Sequence, residues 1–62
     1  MKTWKRCAPT ARKAGIKVTY GVFQYGYEVA SYSYIGDADY FAASIDGGEV
    51  KAIFFRLVSV EG

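Results

Sequence analysis

Cys7 follows Lys5 and Arg6 in the sequence "WKRCAP". Neighbouring cations lower a thiol's pKa and favour the thiolate, which is the nucleophilic form. A working nucleophile also needs a partner base, and the chain has no histidine. Neither a Cys–His pair nor a Ser–His–Asp triad can be built from it. The acids offer a second chemistry. Asp37 and Asp39 form a D-x-D pair, and oxygen ligands of this kind hold Mg²⁺ or Ca²⁺. Asp46 and Glu49 would complete such a site only if the fold brought two turns together. Aspartate is common in turns for backbone reasons alone, so these acids are read as turn residues. "DGG" at residues 46–48 has no following lysine and no Walker spacing, so it too reads as a turn. The expectation is a non-enzymatic protein with no cofactor and no metal.

The 62 residues allow one domain, with a basic arm at 1–15 and a body at 16–62. A chain of this size buries little surface and is marginal alone. A single cysteine excludes an intrachain disulfide, and the absence of histidine excludes a Cys/His zinc site. Oligomerisation is the remaining route to extra stability. A hydrophobic fraction of 52% excludes a disordered chain. No apolar run is long enough to cross a membrane as a helix, and the N-terminus has no apolar segment typical of a signal peptide. The expected location is the cytoplasm.

Net charge is only +2, but it is unevenly spread. Residues 1–17 carry Lys2, Lys5, Arg6, Arg12, Lys13 and Lys17 and no acid. The remainder has Lys51 and Arg56 against Glu28, Asp37, Asp39, Asp46, Glu49 and Glu61. The six cations are candidate contacts for an anion or a nucleic acid. They could equally neutralise the acidic body. Within the arm, Pro9, Thr10 and Gly15 would start, cap and end one helical turn. Trp4 is expected to anchor the arm, or to stack on a base beside Lys5 and Arg6.

From Gly15 onward the pattern is β. "IKVTYGVF" alternates Ile16, Val18, Tyr20 and Val22 against Lys17, Thr19 and Gly21, the signature of a half-buried strand. "QYG" is a turn. Period two then places Tyr27, Val29, Ser31, Ser33 and Ile35 on one face and Glu28, Ala30, Tyr32 and Tyr34 on the other. "VKAIFFRLVSV" loads both faces and is expected to be a central strand. Arg56 falls on the face of Phe54 and Val58, which implies a rim position, an acidic partner or a contact surface. Residues 38–46 fit two elements. As a strand they pair Ile45 with Val50, Ala43 with Ala52 and Phe41 with Phe54, all apolar. As a helix, Asp37 caps, Ala42 and Ala43 favour the helical conformation, and Gly47 ends it. The pairing favours the hairpin.

The fold expected is therefore mainly β. It is a small antiparallel sheet of about four strands, half-barrel or SH3-like, with the basic arm lying across it. An α+β fold with a short helix at 38–46 is the alternative. Two functions are consistent with this fold. One is a protein–protein interaction module, an inhibitor or adaptor acting on a larger complex. Tyr25, Tyr27, Tyr32, Tyr34 and Tyr40 would supply contact area, while Asp37 and Asp39 would meet a basic partner surface. By analogy only, small phage-encoded inhibitors such as anti-CRISPR proteins share this profile. The other is a nucleic-acid-binding β-barrel that stacks bases on Tyr32 and Tyr34 and contacts phosphates through the arm. The acidity of the body favours the protein partner. A homo-oligomer whose arm reaches a neighbour's acidic turns is compatible with either.

Overall fold

A computed structural model describes residues 1–60. The order of elements is β1 (Lys2–Cys7), β2 (Ile16–Gln24), β3 (Tyr27–Tyr32), α1 (Ile35–Ser44) and β4 (Gly48–Ser59). The four strands form one antiparallel sheet in the order β1-β4-β2-β3, curled into a half-barrel. β4 is central, as its two-faced apolar sequence implies.

The arm differs from expectation. Residues 2–7 do not lie across the sheet; they form its edge strand, paired with β4 from Lys2↔Ser59 to Cys7↔Phe54. Residues 8–15 contain no helix. The Thr10 hydroxyl oxygen instead accepts the Arg12 N–H at 3.1 Å, a turn rather than a helix cap. Gly15, at φ +69°, turns the chain into β2.

The hairpin over 38–46 does not form. Residues 35–44 are helical, so the α+β alternative had the right element type, though the helix begins and ends earlier than 38–46. The physical reason is pairing capacity. β1 and β2 occupy both edges of β4, which leaves no edge for a third partner. The apolar positions fit the helical period as well: Ala38, Phe41, Ala42 and Ile45 follow i, i+3, i+4, i+7 and are its buried or half-buried residues. Tyr34 is the N-cap and makes no side-chain capping bond. Asp37 lies in the first turn, where its charge complements the helix dipole, instead of capping.

Directly paired residues share a face of an antiparallel sheet. One face therefore carries Cys7, Ile16, Val18, Tyr20, Val22, Val50, Ala52, Phe54 and Arg56. α1 covers one end of it, where Phe41 meets Tyr32 with ring centroids 6.1 Å apart and Val22 and Ala38 are fully buried. The opposite face has no helix and carries Trp4, Arg6, Lys17, Thr19, Phe23, Lys51, Ile53, Phe55 and Leu57.

Burial is thin. Among the described residues only Val22, Ala38 and Ile53 are buried apolar side chains. The molecule exposes 4780 Å², against about 4,000 Å² for a compact monomer of this mass. Its extents of 42 × 23 × 16 Å explain the excess: this is an elongated sheet with one short helix.

The contact of α1 with the sheet is close. A Cβ at Gly48 would fall inside contact distance of the Ala42 carbonyl oxygen and 2.9 Å from its Cα. A Cβ at Gly36, in the first helical turn, would meet nothing within 4 Å. Gly48→Ala should therefore destabilise by about 2 kcal/mol. Gly36→Ala should stabilise by about 0.5 kcal/mol through helix propensity. Urea denaturation of the two variants checks the pair.

Candidate interaction surfaces

The β2–β3 turn is built on Tyr25 and Gly26, with φ of 52° and 85°. Positive φ at both central residues is the type I′ hairpin geometry, which matches strand twist. Tyrosine pays a steric penalty there that glycine does not. Two contacts hold it. The Tyr25 hydroxyl donates to an Asp46 carboxylate oxygen at 2.6 Å, and its ring lies against Gly47, 3.1 Å from where a Cβ would stand. Gln24 Nε2 donates to the Asp46 carbonyl at 2.8 Å. Tyr25 and Asp46 thus join the β2–β3 turn to the α1–β4 turn, and Tyr25 is 70% exposed around that role.

A register shift in β3 regroups the other tyrosines. Tyr32 faces Tyr20, Ala30 faces Val22, and Tyr27 faces Gln24, with a bulge between Val22 and Phe23. Tyr20, Val22 and Gln24 lie on one face of β2. Tyr27 and Tyr32 therefore share the helix face, whereas strict alternation would separate them. A bulge inserts one residue and reverses the alternation beyond it. Tyr32 is half-buried against Phe41. Tyr27, Tyr34 and Tyr40 are 77%, 74% and 82% exposed. Ile35 and Val29 are exposed beside them in sequence, and so are Asp37 and Asp39. β3 is also an outer strand of the sheet, with one edge unpaired.

The six cations divide. Lys2, Arg6 and Lys17 fall on the open face, Lys5 on the helix face, and Arg12 and Lys13 on the loop between β1 and β2. On the open face the Lys17 ammonium lies 5.1 Å from the Trp4 ring centroid and 5.5 Å from that of Phe55. Lys51 lies 5.0 Å from the Phe23 ring. These are cation–π distances. Trp4 is 41% exposed, so it is a partly open ring fixed in a strand. Phe55, Phe23 and Lys51 were absent from the candidates drawn from the sequence. Only a knowledge of register could place them on the face of Trp4, with Phe55 near it and Phe23 and Lys51 toward the other end.

Arg56 stands between Lys5 of β1 and Ile16 of β2 and is exposed. It lines a cleft of about 410 Å³ with Cys7, Thr10, Arg12 and Ile16, beneath the 8–15 loop. Among the described residues no group of three or more metal-ligating side chains comes together, and no helix is long and apolar enough to cross a membrane.

Compared with known proteins, the chain matches no family model, and no curated protein or solved structure is significantly similar to it.

The bond to Asp46 raises the Tyr25 pKa above the ordinary tyrosine value, with desolvation a smaller cause. A folded-state value above the unfolded one stabilises below the ordinary tyrosine range and is lost as pH rises through the raised value. Tyrosinate absorbance on alkaline titration should therefore contain a late component, which Tyr25→Phe removes and Tyr34→Phe leaves in place.

Proposed function

We propose that this chain is a non-enzymatic protein-interaction module, an inhibitor or adaptor that docks on a larger complex through the tyrosine and acid surface of β3 and α1. The observation that carries this reading is the exposure of Tyr27, Tyr34 and Tyr40, each at 74% or more, on a domain whose core uses none of them. Tyrosine gives large contact area at low entropic cost and keeps a polar tip, so it is favoured at protein contacts. Asp37 and Asp39 lie on the same helix and give the surface a negative charge suited to a basic partner. The surface excess of the elongated fold is consistent with a protein that covers part of itself by binding. A soluble, cytoplasmic setting of phage or mobile-element type remains part of the proposal by analogy.

A nucleic-acid reading also has an observation in its favour. Trp4, Phe55 and Phe23 share the open face with Lys2, Arg6, Lys17 and Lys51, so rings and cations lie together there. Stacking rings beside cations suit single strands. Glu28 and Glu49 lie on the same face at the Phe23 end and weaken its field toward phosphates.

Affinity capture from host lysate with quantitative mass spectrometry separates the two. The expected result is a defined protein set retained by the wild type and lost with Tyr34→Ala/Tyr40→Ala, whose melting temperature stays within about 2 °C of the parent because both side chains are exposed. Retention of the same proteins by the double variant would refute the tyrosine surface. Salt-sensitive anisotropy of a labelled single strand, abolished by Trp4→Ala, would instead favour the open face.

A further inference from the structure

We propose that the cleft beneath the 8–15 loop is a binding site for a small phosphomonoester, held between Arg12 and Arg56. This site lies apart from the tyrosine surface and does not rest on that reading.

Three observations carry it. First, Arg56 and Lys5 are cross-strand Cα partners on the same face. Like charges placed directly opposite one another destabilise a sheet, and a bound anion offsets that repulsion. Second, Arg12 lines the same cleft as Arg56, and no aspartate or glutamate is among the described residues lining it. Two guanidiniums favour a dianion over a monocarboxylate, because each can present two parallel N–H donors to phosphate oxygens. Third, the donors stand on a fixed frame. Arg56 is in the central strand, and the Leu57 N–H donates to the Gly15 carbonyl at 2.9 Å, closing the loop onto β4. The Thr10 oxygen accepts the Arg12 N–H, which orients that turn and leaves the Thr10 hydroxyl hydrogen to donate. The remaining walls include Pro9, Ile16, Leu57 and Val58, which suit an apolar ester group. The volume of about 410 Å³ lies within the range of small-molecule sites.

Phenyl phosphate is a suitable probe, followed by amide chemical-shift titration of the intact chain. Saturable shifts centred on Cys7, Arg12, Ile16 and Arg56 are expected. Arg12→Gln and Arg56→Gln should each weaken binding about tenfold or more, the loss typical of a charge-assisted hydrogen-bond pair. Both residues are exposed, so each variant should keep the parent spectrum elsewhere. Affinity should fall as pH drops from about 7.5 to about 5, because the probe's second ionisation lies near 6. Methyl phenyl phosphate, a diester monoanion, should bind more weakly. Equal affinity for the diester would show a general anion or nucleic-acid-backbone surface and overturn the monoester assignment. Shifts that do not saturate, or affinity unchanged in both variants, would overturn the site itself.

Discussion

The rest of the structure depends on β4 having a partner on each side. β1 takes one edge of it and β2 the other. Twelve residues of alternating two-faced apolar character make β4 the longest strand and place it where both its faces are used. Once both edges are filled, residues 35–44 cannot add to it as a strand. They can bury their apolar positions only by crossing the sheet as a helix, which seals Val22 and Ala38. The helix covers one end of one face; no helix covers the opposite face, where Ile53 is buried and Trp4 and Leu57 are exposed.

That arrangement sorts the charges. The basic arm becomes part of the sheet, so its cations are fixed by strand register instead of sweeping through solvent. Alternation sends Lys2 and Arg6 to the face of Trp4 and Phe55, and Lys5 to the face of Arg56. Asp37 and Asp39 lie on α1 and Asp46 at the turn joined to Tyr25, while Glu28 and Glu49 share the open face at its Phe23 end. The chain is thus a thin sheet with a cationic cleft at one end and an acidic, tyrosine-bearing surface on the helix side. A fold with so few buried side chains leaves much of its aromatic content exposed.

Much of the strand layout was legible in the sequence. β2 and β4 load their faces with period two, and "QYG" sits where the chain must reverse. What was not legible is what depends on partners far away in sequence. Residues 38–46 satisfy helical and strand periods equally, and only the occupied edges of β4 decide between them. The arm lacks apolar alternation because an edge strand needs only one partner and tolerates lysines, which also guard it against further pairing. The β3 bulge reverses the face of Tyr27, and nothing in "YGYEVASY" marks where an extra residue is absorbed. Tyr25 is an ordinary exposed tyrosine by sequence, yet it occupies a left-handed turn position because Asp46, distant in the chain, holds its hydroxyl.

The pairing of β1 with β4 is the claim on which both the open face and the cleft depend. Cross-strand proton contacts measured by nuclear Overhauser spectroscopy test it directly. The account predicts Hα and amide contacts linking residues 2–7 with 54–59 in antiparallel register, Trp4 opposite Leu57 and Lys5 opposite Arg56. An N-terminal segment with no such contacts and the narrow lines of a disordered chain would contradict it.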